Sequence, residues 1–443
     1  MPMARDAEIP YGAYWSSPFA RWQGSLSHLH SLQFAAHVGA RELARRDIPL
    51  GEIDHGILGL TVPQRQSFYG LPWVMGMMGA EDVAGPTISQ ACATGARTLA
   101  AACHEVRSGL SDSTLILTAD RTSNGPHVYY PAPAGPGGTG AHEDVVMDNF
   151  NHDPHAKNAM IDTAENVARK YQISTEAQND VVVRRYHQYR DALDNDHAFQ
   201  KRYMTLPFEV PDNRFRKSSV TLSGDEGVVE VSAGDLAKLC PVKEGGSITF
   251  GGQTHPADGT AGLLVTTAEA AREQASDPSI QIRVRGFGQS RTEKGFMPQA
   301  PVEAARRALD SADLEIGDMD AVKSHNPFAV NDIVFSRETG FDLDAMNNFG
   351  CSLIWGHPQG PTGLRCIIEL IEELALLEES LDAMPDAVAA FDADDRLVFF
   401  NAAYRDLYSS VSQKWVPGIS YRDIIRILLE HASPDDAEGR EEE

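Results

Sequence analysis

An internal repeat constrains the fold of this chain more than any other feature of its sequence. The stretch PLGEIDHGILGL from Pro49 is similar to EIGDMDAVKSHN from Glu315, 266 residues later, and each follows a helix-like segment rich in alanine and arginine. A second pair, CATGARTLAAACHEV from Cys92 and QGPTGLRCIIELIEEL from Gln359, aligns TGAR with TGLR at an offset of 268 residues. Two similarities at nearly one offset indicate two halves of similar topology within one body.

Both halves combine strand-like and helix-like segments. Short apolar runs suited to strands (GILGL at 56–60, STLILT at 113–118 and DAVKS at 320–324) alternate with amphipathic stretches suited to helices. This alternation predicts an α/β fold built from βαβ units.

An insertion separates the two halves, from about residue 120 to residue 245. It begins with a Gly/Pro-rich segment, PAPAGPGGTG, which we interpret as a loop over the site. A helix is predicted from Thr175 to Asn195, with Thr175 and Gln178 as its capping box.

Composition and charge exclude several classes of function. The formal net charge of -25 repels phosphate backbones and argues against nucleic acid as a partner. The N-terminal segment has no apolar region of a signal peptide, and no stretch approaches the roughly 20 apolar residues of a membrane helix. Five widely spaced cysteines without a CxxC pair predict reduced thiols. We therefore expect a cytoplasmic protein without a membrane span, a metal or a redox cofactor.

Cys92 is the strongest candidate nucleophile. It lies at the start of a predicted helix that runs to about Ser108, where backbone N–H groups and the helix dipole are expected to favour the thiolate. The repeat places Gly356 and His357 at the equivalent turn of the other half. Pseudo-symmetry would bring the two helix starts together, so that His357 can take the thiol proton in covalent acyl transfer.

His325 is a second candidate for the site. It follows the predicted strand DAVKS and precedes a helix that opens with Pro327, which is where α/β proteins place functional side chains. Cys92, His325 and His357 all fall at turns into helices, and we expect them to converge. The residues alone leave open a buried structural cysteine and a satisfied loop histidine.

Five ordered motifs, spread over residues 1 to about 376, resemble the thiolase family. SQACATGAR resembles its nucleophile motif, HNPFA its NEAF motif and WGHPQGPTG its GHP motif, while TAENVARKYQISTEAQND and ITFGGQTHPADGTAGLLV also match. A histidine at the first position of HNPFA resembles the sterol-carrier-protein branch. The resemblance implies a duplicated fold layered α-β-α-β-α and thioester substrates on coenzyme A.

The resemblance also implies roles for individual residues. Cys92 would be acylated, His357 would activate it, and His325 with a bound water would stabilise the oxyanion. Coenzyme A would be a substrate, no other cofactor would be needed, and the protein would be a homodimer or homotetramer. The residues implied to contact the substrate or coenzyme A are Thr254, Met160, Phe328 and Gly356.

Two positions depart from the thiolase pattern. The family uses a second cysteine in a CxG turn near the C-terminus, and this chain has no cysteine after Cys366. Cys351 is the candidate substitute. Ala159 stands where many members carry a histidine that contacts pantetheine.

The leading function is thiolysis of 3-oxoacyl-CoA or Claisen condensation, and the alternatives are a decarboxylating ketosynthase and a non-catalytic acyl-CoA-binding or scaffold protein.

The expected domains are an N-terminal half at 1–270, a truncated C-terminal half at 276–376 and an extension at 377–443. The extension, with LDAMPDAVAAFDADDRLVFFNAAYRDLY and PGISYRDIIRILLEH, resembles part of a PAS sensor domain and ends in the charged GREEE. AVAAF and RLVFF predict a hairpin. Two interpretations stay open: the hairpin covers a sheet edge left by missing thiolase strands, or the extension is a fused, weakly ordered tail.

Overall fold

A computed structural model describes residues 6–392, 394–415 and 418–431. The chain divides into two compact units, residues 1–372 and 373–443. Across the described residues, no helix is long and apolar enough to cross a membrane.

Strands and helices alternate through most of the chain. The strands are β1 (Ala7–Ile9), β2 (Tyr14–Ser16), β3 (Ala20–Arg21), β4 (His55–Gly59), β5 (Thr87–Ile88), β6 (Ser113–Arg121), β7 (His127–Tyr130), β8 (Ala141–Asp144), β9 (Phe208–Pro211), β10 (Ser218–Leu222), β11 (Ala257–Thr267), β12 (Ile282–Arg283), β13 (Ala389–Phe391) and β14 (Leu397–Phe400). The helices are α1 (Ser31–Arg45), α2 (Leu71–Met78), α3 (Thr94–Ser108), α4 (Met147–Asn151), α5 (Met160–Lys170), α6 (Thr175–Asp191), α7 (Asp194–Lys201), α8 (Ala233–Leu236), α9 (Ala268–Gln274), α10 (Ala300–Asp310), α11 (Ala329–Thr339), α12 (Ser352–Trp355), α13 (Gly360–Asp382), α14 (Ala402–Leu407) and α15 (Tyr421–His431).

One large sheet organises the first unit, with strand order β12-β1-β11-β6-β4-β5 and with β2 and β3 also paired to β11. β4 runs parallel to β5 and β6, and β11 runs antiparallel to β6. The strands predicted at 56–60 and 113–118 are confirmed as β4 and β6. Almost every residue of β6 and β11 is buried, because helices cover both faces of a central strand.

The predicted repeat is visible in the structure. Short 3-10 turns occur at Leu50–Glu52 and at Ile316–Asp318, 266 residues apart. The starts of α3 and α13 touch at Gly95, where an added Cβ would lie 2.4 Å from the backbone nitrogen of Leu364. Only glycine permits so close an approach of two helices. The predicted meeting of the two helix starts is therefore confirmed.

The strand predicted from DAVKS is wrong. Residues 320–324 form only an isolated bridge between Val322 and Met346, and β12 joins the first half's sheet through β1. A strand needs several paired residues in a row to form a ladder, and among the described residues this segment has a single bridge. The second half consists mainly of α10 to α13. The predicted mixed α/β class is nevertheless confirmed.

The predicted helix of the insertion exists and begins at Thr175 as predicted, but it ends at Asp191. α6 stops before Asn195, whose φ of 52° is left-handed. The predicted capping by Thr175 is wrong, since Ser174 is the N-cap and its hydroxyl accepts a hydrogen bond from the Ala177 amide at 3.1 Å. Ser174 keeps an extended backbone, whereas Thr175 already lies inside the helix.

The second unit contains the predicted hairpin, because β13 and β14 pair antiparallel. α14 and α15 complete the unit, and Leu397, Val411, Trp415 and Ile424 form its buried core. The acidic GREEE segment lies outside the described residues.

Candidate active site

Cys92 lies in the tight turn between β5 and α3. α3 begins at Thr94, so Cys92 precedes the helix instead of starting it. The preceding residue, Ala91, has a left-handed φ of 46°, a conformation that costs a non-glycine residue about 1–3 kcal/mol. The Thr94 hydroxyl accepts a hydrogen bond from the Gln90 amide at 2.8 Å, which closes the turn. The strained turn holds the Cys92 side chain in a defined position.

His357 is a base in direct contact with the Cys92 thiol. Its Nε2 atom lies 3.1 Å from Cys92 Sγ, and its Nδ1 atom lies 2.6 Å from the Thr362 hydroxyl. The His357 amide also donates a hydrogen bond to the His255 carbonyl at 2.8 Å. If Nδ1 donates its proton to Thr362, the lone pair on Nε2 faces the thiol. This arrangement suits general-base catalysis.

His325 stacks on His357, with ring centroids 4.1 Å apart and planes inclined by 29°. Its Nδ1 atom lies 2.8 Å from the Ser352 hydroxyl. Its Nε2 atom is buried and has no hydrogen-bond partner within the described part of the chain. Sulfur and nitrogen atoms of Cys92, His325 and His357 all lie within 4.8 Å of one another. The structure thus brings the three predicted residues together.

Burial keeps all three groups neutral. It raises the pKa of the Cys92 thiol to about 11 and lowers the pKa of His325 to about 3. Burial, aided by the neighbouring His325, holds the pKa of His357 well below its ordinary value. The expectation that the helix dipole favours a Cys92 thiolate is wrong, because desolvation outweighs it. At neutral pH the thiol therefore keeps its proton until the sulfur attacks a substrate.

The lowered pKa of His357 predicts a pH-dependent contribution to stability. Below pH 6.5 the His357 imidazole takes up a proton in the unfolded chain but stays neutral in the folded protein. The contribution of neutral His357 to the free energy of unfolding is therefore complete above pH 6.5 and is lost as the pH falls. When the pH falls from 6.5 to about 5.5, the free energy of unfolding of wild type should fall by about 1 kcal/mol more than that of His357→Gln. Urea unfolding at the two pH values measures this gain. Parallel pH curves for the two proteins would contradict it.

Asp120 is a member of the site that the sequence analysis missed. It is 1% exposed at the end of β6 and accepts hydrogen bonds from the amides of Thr61, Val62 and Gly360, each at 2.8 Å. Gly360 opens α13, three residues after His357. Burial raises the pKa of Asp120 to about 7. A polar residue at the carboxyl end of a buried parallel strand was the available signal.

Cys351, the predicted substitute for a second cysteine, lies in the core. It is 1% exposed, its sulfur accepts a hydrogen bond from Asn326 Nδ2 at 3.2 Å, and burial raises its pKa to about 11. It is not part of the cluster within 4.8 Å formed by Cys92 and the two histidines. All five cysteines are free thiols, as predicted.

Three of the four predicted contact residues lie on chain segments that are joined to one another by backbone hydrogen bonds or bridges. The Thr254 amide donates to the Pro327 carbonyl at 2.8 Å, next to Phe328. Gly356 precedes His357, which forms a bridge with Pro256. Met160 starts α5 and is partly buried against the hydrophobic cluster that contains Phe328. Their contacts with a substrate stay predictions.

Comparison with known proteins decides the family. Sequence models of the thiolase N-terminal and C-terminal domains match residues 14–269 and 279–385, and a model of the PAS fold matches residues 381–442. The first match alone covers more than half of the chain. The chain belongs to the thiolase family. The predicted family, the acyltransferase class and the resemblance of the extension to a PAS domain are confirmed.

Individual thiolases agree with this assignment. Beta-ketothiolase BktB of Cupriavidus necator is 26% identical over 84% of this chain and 93% of its own length. Acetyl-CoA acetyltransferase of Paracoccus denitrificans is 27% identical over 81% of this chain and 90% of its own length. The crystal structure of human mitochondrial 3-ketoacyl-CoA thiolase matches with a TM-score of 0.77 and 24% identity, over 85% of this chain and 94% of that one. The fold is therefore that of a thiolase.

The thiol and the two imidazoles are also donor types that bind zinc. A metal held by Cys92 and His357 would occupy the lone pairs that acyl transfer uses.

Proposed function

We propose that this thiolase transfers acyl groups between thioesters through an acyl-Cys92 intermediate. The observation that supports this proposal most directly is the 3.1 Å distance between Cys92 Sγ and His357 Nε2. His357 takes the thiol proton as sulfur forms a bond to the thioester carbonyl carbon. The tetrahedral adduct collapses, its bond to the leaving sulfur breaks, and His357 returns the proton to that sulfur.

We propose that the thioesters are carried on coenzyme A. The names of the acetyl-CoA acetyltransferase relatives support this substrate, as does the structure of human mitochondrial 3-ketoacyl-CoA thiolase in complex with CoA. We propose that Thr254, Phe328 and Gly356 contact the substrate near Cys92, and the backbone bridges and hydrogen bonds between their segments support this. Met160 is the fourth proposed contact. Coenzyme A acts as substrate, and no further cofactor takes part.

A second candidate is decarboxylating condensation. It is favoured by the composition of the reacting cluster, which holds one thiol and two imidazoles, while Cys351 is buried in the core. Loss of carbon dioxide from a malonyl thioester creates the carbanion without a second cysteine. His325, whose Nε2 atom is unpaired among the described residues, would face the developing charge.

One pair of assays separates these functions. Acetoacetyl-CoA with free coenzyme A is expected to yield two acetyl-CoA molecules, and the decrease in enolate absorbance measures it. Release of carbon dioxide from malonyl-CoA without thiolysis would favour the decarboxylating function. The absence of both, in a folded protein that binds acyl-CoA, would support a non-catalytic acyl-CoA-binding protein.

We also propose that the protein is a homodimer or homotetramer in a reducing compartment such as the cytoplasm. β5 lies at the edge of the sheet, and the neighbouring Phe68 and Tyr69 are 91% and 73% exposed. An uncovered strand edge with apolar neighbours is suited to pairing with a second copy. A free Cys92 thiol, which acyl transfer requires, favours reducing conditions. Sedimentation velocity measures the number of copies.

The domain division remains part of the proposal. It assigns the two thiolase halves to 1–270, with the insertion at about 120–245, and to 276–376, followed by the extension at 377–443. Limited proteolysis near residue 376 tests whether the extension separates as its own unit.

A further inference from the structure

Gln359 touches the proposed nucleophile. Its side-chain Oε1 atom lies 3.5 Å from Cys92 Sγ, within hydrogen-bond distance of the sulfur, and Gln359 is only 6% exposed. The amide nitrogen Nε2 is bonded to the same carbon as Oε1, so it belongs to the side-chain amide group that contacts the sulfur. Gln359 is thus a neutral, buried donor next to the position of an attacked carbonyl group.

The Nε2 atom of Gln359 has no hydrogen-bond partner in the part of the chain that the structure describes. A buried amide N–H without a partner costs about 1–3 kcal/mol. Buried polar groups in folded proteins are almost always paired, and an exception indicates a missing ligand or a catalytic role. The unpaired N–H of Gln359 is therefore available to a substrate oxygen.

The backbone fixes Gln359 in this position at a cost. Its φ of 66° is left-handed, a conformation that a long side chain rarely adopts. Two hydrogen bonds hold the loop: the Thr362 amide donates to the Gln359 carbonyl at 3.2 Å, and the Gly360 amide donates to Asp120 at 2.8 Å. Strain maintained by its surroundings is typical of residues at functional sites.

The reaction creates a need for such a donor. When Cys92 attacks a thioester, the carbonyl oxygen gains negative charge. His325 and His357 are neutral at physiological pH because burial lowers the pKa of each, so neither supplies a positive charge to that oxygen. Preorganised neutral donors stabilise such an oxyanion effectively in a site that excludes water.

We propose that Gln359 is a catalytic residue whose Nε2–H group donates a hydrogen bond to the thioester oxyanion during acylation of Cys92. The inference rests on the proposed acyl transfer. In this step the sulfur–carbon bond forms, the thiol proton moves to His357, and the carbonyl π electrons move onto the oxygen that Gln359 binds. Collapse of the adduct restores the carbonyl group and releases the leaving thiol with the proton from His357.

Two reactions of the same sulfur distinguish this role from positioning of the thiol. Acylation by acetyl-CoA develops an oxyanion, whereas alkylation by iodoacetamide is a displacement at carbon that develops none. Gln359→Met keeps the side-chain length and removes the donor. It should slow single-turnover acylation by about 10²–10³-fold and change alkylation by less than about threefold. Rapid quench with intact mass follows both reactions.

Gln64→Met is the matched control, since Gln64 Nε2 is also buried without a partner in the described chain but lies on the loop after β4. It should leave both rates unchanged. Equal losses of acylation and alkylation in Gln359→Met would assign Gln359 to positioning and overturn the proposal, as would unchanged acylation. If wild type is alkylated at Cys92 but never acylated, the proposed acyl transfer fails first and this role fails with it.

Discussion

Replacing His357 with glutamine is expected to slow acylation of Cys92 by about 10²–10⁴-fold, the usual contribution of a positioned general base. The thiol is neutral because burial raises its pKa to about 11, so attack depends on transfer of its proton to His357 Nε2 at 3.1 Å. Glutamine preserves polarity but accepts no proton at neutral pH. Single-turnover acylation by acetyl-CoA measures the loss.

The matched control is His104→Gln, which changes the same residue type at an exposed position of α3. Its acylation rate should equal that of wild type. A His357→Gln protein that acylates at the wild-type rate would show that another group removes the thiol proton. A loss of rate that is fully restored at high pH would support the account, because thiolate formed by bulk base needs no histidine.

Replacing Arg365 with methionine is expected to destabilise the first unit by about 3–5 kcal/mol. Arg365 is fully buried on α13, donates to both carboxylate oxygens of Asp225 at 2.6 and 2.8 Å, and donates to Glu369 at 2.9 Å. Its guanidinium lies 4.4 Å from the ring centroid of Trp355. Methionine fills much of the volume but leaves the buried Asp225 carboxylate without its cation.

Arg307→Met is the control for this prediction. Arg307 pairs with Glu303 on α10, but both side chains are about half exposed, and such pairs contribute at most about 1 kcal/mol. Urea unfolding followed by tryptophan fluorescence compares the two variants. If they lose the same free energy of unfolding, the buried charge network contributes little more than a surface pair.

The reacting cluster was predictable because its members lie in motifs that the chain repeats or that thiolases share. Cys92 and His357 precede equivalent helices, and the contact at Gly95 brings those helices together. Their protonation states were not predictable. A helix start favours a thiolate by a local effect, whereas the desolvation that reverses it depends on the packing of both halves around the sulfur.

Other errors have similar physical causes. DAVKS has the composition of a strand, but strand formation depends on neighbours that are distant in sequence. Gln359 was missed because a loop sequence does not reveal which side chains turn inward, whereas Asp120 lies near the end of β6 and its contacts come from two distant loops. In the sequence, Gln359 is only the first residue of a repeated segment. Its contact with Cys92 depends on a left-handed backbone conformation, which is usually adopted by glycine and is not expected for glutamine.

Intact mass after incubation with acetyl-CoA tests the central claim most directly, with wild type and Cys92→Ala compared in the same experiment. The account predicts a mass increase of one acetyl group on wild type, located on the peptide that contains Cys92, and no increase on Cys92→Ala. An unmodified wild-type protein that is folded and binds acetyl-CoA, or an equal acetyl adduct on Cys92→Ala, would contradict the assignment of Cys92 as the nucleophile.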